Sequence, residues 1–177
     1  MTSLSLAGDP DYSSLCKSLT MVDIGIYPNQ DGSDRIVEFM RSAENGFSSL
    51  EEAADYISDF LPHREKPKDL SGLHKNLRKK DDRFYWHWDP KFLQGRQGQD
   101  IKEYFGHLEK AANFLNIPTL LIRGGLSDVL TEEDKDYFLK VVSHAEFEEI
   151  SNAAHMVAGD KNDIFSKAVE KFLVKNN

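Results

Sequence analysis

Three short segments along the chain have apolar residues in the pattern of buried β-strands. Residues 19–26 are apolar on both alternating sides apart from Thr20 and Asp23, which is typical of a strand inside a parallel sheet. Residues 119–122 are a second apolar run of strand length, and residues 147–150 are a third short segment with apolar Phe147 and Ile150 at its ends. Runs of this length that are bounded by turn residues predict buried strands. The sequence therefore predicts three strands.

Helix signals lie between the second and third strands and again after the third. The spacing Thr131-x-x-Asp134 is that of a capping box and predicts a helix over residues 131–142. Apolar residues at helical spacing from Ile164 to Phe172 predict a last helix that covers a face of the sheet. Because a helix connects the second strand to the third, these two strands are expected to be parallel. The predicted fold class is α/β.

The long segment between the first and second strands contains helix signals and no convincing strand. The predicted elements are helices over 34–44, 49–61 and 101–115, a weaker helix over 67–77 and an irregular aromatic stretch over 83–93. We therefore predict a helical insertion over residues 30–106. It separates residues 1–29, where the sheet begins, from residues 107–177, where the sheet continues.

Composition limits the kinds of partner that the chain can have. A length of 177 residues with 40% hydrophobic residues is sufficient for one globular core. The net charge of −8 disfavours binding to nucleic acid or to an anionic membrane. Cys16 is the single cysteine, so an internal disulfide is excluded. Neither a signal peptide nor a membrane-spanning stretch is visible in the sequence, and we expect a cytoplasmic protein.

Two candidate catalytic residues follow the second and third strands. Asp128 lies after Gly124-Gly125, and His155 lies in an Ala-Ala-His turn. The carboxyl ends of parallel strands meet at one edge of a sheet, where ligands bind. A carboxylate that orients an imidazole at this edge is one interpretation of the pair. The alternatives are that Asp128 stabilises its own turn or caps the next helix, and that His155 is simply exposed.

The sequence resembles the C-terminal half of the α/β-hydrolase fold. The resemblance rests on Ile-Pro-Thr-Leu-Leu-Ile-Arg-Gly-Gly-Leu-Ser-Asp at 117–128, on Asn-Ala-Ala-His-Met-Val-Ala-Gly at 152–159, and on the helical insertion. It implies a partial α/β-hydrolase fold of about three parallel strands with flanking helices and a helical cap domain at 30–106. It also implies a hydrolase that cleaves an ester or a carbon–carbon bond through a triad of the Ser-Asp-His type, in which Asp128 is the acid and His155 the base.

The nucleophile that this family needs is not found in the sequence. A G-x-S-x-G elbow, which would precede the acid and the histidine in chain order, is missing. Cys16 is expected at the wrong end of the sheet, Ser48 is expected to cap a helix, and Ser127 is adjacent to the predicted acid. We therefore expect the chain alone to be inactive. The alternative is a non-catalytic binding or interaction protein derived from a hydrolase.

The aromatic run Phe-Tyr-Trp-His-Trp at 84–88 contains both tryptophans and resembles an aromatic stretch of the family's cap. This resemblance implies that Trp86, His87 and Trp88 line an apolar substrate pocket. The alternative is that these rings form the core of the insertion itself.

The sequence predicts no metal site and no cofactor. The histidines lack metal-ligand spacing, and Gly95-Arg-Gln-Gly98 lacks the Lys-Ser/Thr ending of a phosphate loop. The resemblance implies a small apolar substrate. Residues 19–26 form an apolar strand that no earlier strand covers, so we expect self-association through its open edge.

Overall fold

The computed structural model describes residues 1–27, 29–94 and 101–176. The described helices are α1 (Thr2–Ala7), α2 (Gln30–Ser42), α3 (Leu50–Phe60), α4 (Ile101–Phe114), α5 (Glu132–Val141), α6 (Val157–Asp160) and α7 (Asn162–Lys175). The described strands are β1 (Leu19–Val22), β2 (Leu77–Lys80), β3 (Arg83–Trp86), β4 (Thr119–Gly124) and β5 (Glu146–Ile150). Short 3-10 helices cover Ser13–Leu15, Ser71–Lys75 and Pro90–Gln94. The chain forms two compact units, one of Met1–Ser33 with Gly98–Asn177 and the other of Asp34–Gln97.

A parallel sheet of three strands forms the centre of the first unit. Its order is β1-β4-β5, with Leu19 opposite Thr119 and Leu120 opposite Glu146. Every residue of β4 is buried, because β4 has a strand on each side and a packed layer on each face. The prediction of three parallel strands with flanking helices is confirmed.

The two faces of β4 contribute to two separate hydrophobic cores. Leu121 packs in a core with Leu4 of α1, Leu108 of α4 and Phe138 of α5. The core on the other face contains Leu120 and Ile122 of β4, Ile150 of β5, Val157 of α6 and Phe172 of α7. Alternate residues of one strand therefore hold different helices in place, as the period of two in a strand requires.

The first strand is shorter than the sequence predicts. It ends at Val22, and not at residue 26, because Asp23 has a φ of 53° and turns the chain out of the sheet. This left-handed conformation is uncommon for residues other than glycine, but aspartate tolerates it better than apolar residues do. The Asp23 N–H still donates to Ile122 O at 2.7 Å. Asp23 is therefore fixed at the carboxyl end of β1.

The second unit contains a β-hairpin that the sequence analysis missed. Strands β2 and β3 are antiparallel, with Leu77 opposite Trp86 and Lys80 opposite Arg83. The prediction of a helix over 67–77 was wrong, because this segment contains only the short Ser71–Lys75 helix. The strands are four residues long, and their tight turn contains Asp81 with a φ of 54°. A Lys-Lys-Asp-Asp-Arg sequence carries no strong hairpin signal.

The helix α4 packs in the first unit, so the second unit is shorter than the predicted insertion of residues 30–106. Leu108, Ala111 and Leu115 are buried against the sheet, and the second unit ends at Gln97. None of the described helices is both long and apolar enough to cross a membrane.

Glu109 on α4 accepts hydrogen bonds from two tyrosines of the first unit. Tyr27 Oη lies 2.6 Å from Glu109 Oε2, and the Tyr137 hydroxyl donates to Oε1. The hydrogen bonds from Tyr137 and Tyr27 lower the pKa of Glu109. The hydrogen bond to Glu109, with a smaller effect of burial, raises the pKa of Tyr27 to about 12.

Replacing Glu109 with Gln should lower the pKa of Tyr27 from about 12 towards its ordinary value near 10. The raised pKa favours the neutral phenol in the folded chain, so its contribution to stability is present below pH ~10 and is lost as the pH rises towards ~12. The tyrosinate absorbance of the wild type and of Glu109→Gln, each with and without Tyr27→Phe, isolates this group. An unchanged Tyr27 titration in Glu109→Gln would contradict the assignment.

One edge of β1 has no strand beside it in the part of the chain that the structure describes. The strand β1 pairs with β4 on one side only, and Leu19 and Met21 are buried in the core. A strand edge without a strand partner is a common place for pairing with a strand from another molecule.

We expect the purified chain to associate reversibly through this edge. Sedimentation velocity should give a mass that increases with protein concentration. Thr20→Lys places a charge on the half-buried middle of β1 and should reduce the association. Ser166→Lys, on the exposed surface of α7, is the control and should have no effect. A wild-type chain that remains monomeric at all concentrations would refute this expectation.

Candidate active site

A buried carboxylate and a partly exposed imidazole meet at the carboxyl end of the sheet. Asp23 directly follows β1, and His155 lies in the loop after β5. His155 Nδ1 lies 2.9 Å from Asp23 Oδ2. The Asp23 side chain is fully buried, whereas the His155 side chain is 35% exposed. The acid is thus shielded from water and the imidazole is accessible to other molecules.

The structure places a different carboxylate beside His155 from the one that the sequence analysis predicted. The predicted partner was Asp128, but the imidazole hydrogen-bonds to Asp23. Because the strands are parallel, both aspartates lie at the carboxyl end of the sheet. Chain order alone therefore does not show which of them contacts His155. Asp128 is half-buried in the loop after β4. The available signal was Asp23 itself, the one charged residue in an otherwise apolar strand.

Three donors surround the Asp23 carboxylate. Its Oδ1 accepts the Gly124 N–H at 2.8 Å, and its Oδ2 accepts the Ser127 hydroxyl at 2.5 Å as well as the His155 Nδ1–H. A buried ionised carboxylate is costly unless such hydrogen bonds replace its water shell. These three donors come from the last residue of β4 and from the loops after β4 and β5, so all three converge on this one carboxylate.

Close backbone contacts hold the His155 loop against the end of β4. A side chain at Gly124 would place its Cβ 2.4 Å from Ala154 O and 2.6 Å from Ala153 O. Leu126 N–H donates to Ala153 O at 2.8 Å, and the Ala154 N–H donates to Asp160 Oδ2 at 2.8 Å. The imidazole is therefore positioned by a fixed loop, which requires glycine at 124.

The hydrogen bond to Asp23 assigns the tautomer of His155. When Nδ1 carries the hydrogen and donates it to the carboxylate, Nε2 carries a lone pair and can accept a proton. A neighbouring buried carboxylate stabilises the imidazolium that results. The pair can therefore act as a general base and, on returning the proton, as a general acid.

No described serine hydroxyl or cysteine thiol hydrogen-bonds to His155. Ser127 Oγ donates to Asp23 and accepts the Val129 N–H at 3.1 Å. Cys16 lies before the start of β1, at the amino end of the sheet. Ser48 donates to Glu52 at the start of α3. These three residues are therefore not placed as nucleophiles for this imidazole.

The guanidinium of Arg123 closes the loop that carries Ser127. Its Nε donates to Leu130 O at 2.8 Å, and its Nη1 contacts Glu132 at 2.6 Å and Glu149 at 2.5 Å. Arg123 is buried and ends the apolar part of β4. Arg123 directly precedes the loop and hydrogen-bonds to Leu130 at its end, so this one side chain links the two ends of the loop.

The second unit contains a cavity of about 650 Å³ that two of the three predicted substrate-binding residues line. Its lining is Met40, Arg41, Ala43, Glu44, Tyr85, Trp86, Trp88, Pro90 and Leu93. Trp86 also packs against Phe39 and Phe47, with ring centroids 5.7 and 5.5 Å apart. Its Nε1 is buried without a hydrogen-bond partner. Trp86 thus belongs to the unit's aromatic core and to the cavity, whereas His87 is exposed and does not line it.

In the described part of the chain, no group of three or more His, Cys, Asp or Glu residues is placed to hold a metal ion.

The fold is that of known hydrolases, although the sequence alone does not identify a family. No family model matches the sequence, and no curated protein matches it. Solved structures do match, at low sequence identity. An E-2-(acetamidomethylene)succinate hydrolase has a TM-score of 0.78 and 16% identity over 97% of this chain and 62% of its own. An α/β-hydrolase from Novosphingobium aromaticivorans has a TM-score of 0.73 and 17% identity, over 97% and 60%.

An esterase from Mycobacterium tuberculosis is also similar, with a TM-score of 0.71 and 24% identity over 97% of this chain and 56% of its own. The chain therefore has part of the α/β-hydrolase fold. It spans about three fifths of the length of these solved structures.

The contact between Gly124 and the His155 loop can be tested by substitution. Gly124→Ala should lower the free energy of unfolding by about 1–3 kcal/mol, because the added methyl group would clash with the backbone of Ala153 and Ala154. Gly106→Ala is the control, since no atom lies within 4 Å of its Cβ and alanine is favoured inside a helix by roughly 0.5–1 kcal/mol. Urea unfolding of both variants measures the difference. Equal stabilities would contradict the close approach at Gly124.

Proposed function

We propose that Asp23 and His155 are the acid and the base of a hydrolase that cleaves an ester or a carbon–carbon bond through a serine-type nucleophile. The observation that carries this proposal is the 2.9 Å contact between His155 Nδ1 and Asp23 Oδ2. It lies at the carboxyl end of a parallel sheet, where α/β folds bind their ligands. The similarity to an esterase and other hydrolases supports this class of reaction.

In this proposal His155 Nε2 accepts the proton of the nucleophile as the nucleophile attacks the substrate. Asp23 stabilises the imidazolium through the Nδ1–H bond and remains ionised itself. His155 then returns the proton to the leaving group. The nucleophile is supplied by residues outside this sequence, because no G-x-S-x-G elbow is present in it and no described hydroxyl or thiol hydrogen-bonds to the imidazole.

We further propose that the cavity of the second unit binds a small molecule with an apolar body. Two indole rings, Trp86 and Trp88, line it beside Met40 and Leu93. Aromatic rings provide a large apolar contact area and, in tryptophan, one N–H donor. Arg41 and Glu44 add charge to the lining, so a substrate with a polar group beside its apolar body would fit.

The coding DNA upstream of Met1 offers the sharpest test. If it encodes an in-frame G-x-S-x-G, the extended polypeptide should hydrolyse p-nitrophenyl esters. His155→Ala and Asp23→Asn should each reduce kcat by about 10⁴-fold, as the loss of a triad member commonly does. Asp128→Asn is the matched control at the same edge of the sheet and should retain kcat to within about tenfold. A larger loss in Asp128→Asn than in Asp23→Asn would overturn the assignment of the acid.

The 177-residue chain alone should not hydrolyse these esters above the buffer rate. Turnover that His155→Ala abolishes in this chain would show that the nucleophile is within it. An upstream stop codon with an independent promoter would instead favour the non-catalytic binding protein, in which the cavity of the second unit binds a ligand without chemistry.

A further inference from the structure

The Ser127 hydroxyl has one direction in which it can donate. Its oxygen faces the N–H groups of Val129, at 3.1 Å, and Leu130, at 3.4 Å. A hydroxyl has two lone pairs and one hydrogen. Because the lone pairs face these two donors, the hydrogen points to Asp23 Oδ2, which lies 2.5 Å away. The loop geometry therefore makes Ser127 a dedicated donor to the carboxylate.

The same carboxylate oxygen accepts from Ser127 and from His155. Oδ2 receives the Ser127 hydroxyl and the His155 Nδ1–H, while Oδ1 receives the Gly124 N–H. With both oxygens engaged, rotation of the carboxylate about the Cβ–Cγ bond would break at least one of these hydrogen bonds. Without the hydroxyl, His155 would be the sole donor to Oδ2, and the buried charge would have one hydrogen bond fewer.

Buried contacts hold Ser127 at this position from both ends of its loop. Arg123 Nε donates to Leu130 O at one end, and the Gly125 N–H donates to Ile150 O at 3.0 Å at the other. The loop is thereby tied to β4, to α5 through Glu132, and to β5 through Glu149. The Ser127 hydroxyl is thus held near Asp23 by a loop that has contacts at both of its ends.

We infer that Ser127 is a positioning residue, whose hydroxyl holds the Asp23 carboxylate in the orientation that keeps His155 in the Nδ1–H tautomer. For its effect on catalysis this inference rests on the proposed function. For its effect on the imidazole it rests on the contacts alone. Ser127 acts through Asp23 and does not attack the substrate, since its hydrogen is donated to the carboxylate and not to the imidazole.

The tautomer of His155 in the 177-residue chain tests this role directly. Ring 15N chemical shifts, assigned with His155→Gln and measured above neutral pH, report the ratio of the Nδ1–H to the Nε2–H form. The wild type should be almost wholly Nδ1–H. Ser127→Ala should lower the ratio by about tenfold, and Ser127→Thr, which keeps the hydroxyl, should restore it. Ser151→Ala, at an exposed serine after β5, is the control and should leave the ratio unchanged.

A folded Ser127→Ala chain with the wild-type ratio would overturn the inference, because a purely structural serine would change stability alone. If Ser127→Ala does not fold, Ser127→Thr and Ser127→Cys decide. The thiol is a weaker donor, so equal ratios in the two variants would overturn the inference, and a lower ratio in the cysteine variant would support it.

Activity provides a second and separable measurement. In the N-terminally extended polypeptide, Ser127→Ala should lower kcat by about tenfold to a hundredfold, as expected for the loss of one hydrogen bond to a charged group, with KM unchanged. An unchanged kcat would count against Ser127 as a positioning residue. An extended polypeptide without any activity would refute the proposed function, and the tautomer ratio would still decide the role of Ser127.

Discussion

The parallel pairing of β4 with β1 and β5 determines where the side chains of the candidate site lie. Because the three strands run in one direction, Asp23, the Ser127 loop and the His155 loop all lie at the carboxyl end of the sheet. The burial of every β4 residue holds this arrangement together, since its alternate side chains pack in two different cores. The site depends on the hydrophobic centre of the sheet even though its members are polar.

The buried charge of Asp23 is what the surrounding loops have to accommodate. An uncompensated carboxylate in a protein interior costs several kcal/mol, and here one backbone N–H, one hydroxyl and one imidazole offset that cost. The left-handed φ of Asp23 adds a small strain of its own. The groups that stabilise the buried Asp23 carboxylate also hold it in the position where it contacts His155. A mutation of one of these groups is therefore expected to change both the stability of the fold and the orientation of the imidazole.

Much of the fold could be predicted from local sequence, and the parts that could not be have physical reasons. The capping box at Thr131 and the apolar stripe of the last helix correspond to observed helices. The β2-β3 hairpin was missed because Leu-Arg-Lys-Lys lacks an apolar alternation and gains its stability from Leu77 and Trp86 in the aromatic core. The sequence analysis paired His155 with Asp128 because two aspartates follow neighbouring parallel strands. The structure places Asp23 at hydrogen-bond distance from His155, and chain order does not encode that distance.

The two outer strands of the sheet, β1 and β5, differ in how readily they could pair with a further strand. The strand β5 carries three glutamates, of which Glu148 and Glu149 are exposed, and such charges oppose the addition of a further strand. The edge of β1 is apolar and terminates at Asp23. A strand that joins β1 in parallel would therefore deliver its own carboxyl end beside Asp23 and His155. The sheet can therefore be extended on the β1 side only at the place where the added strand would end next to the buried carboxylate.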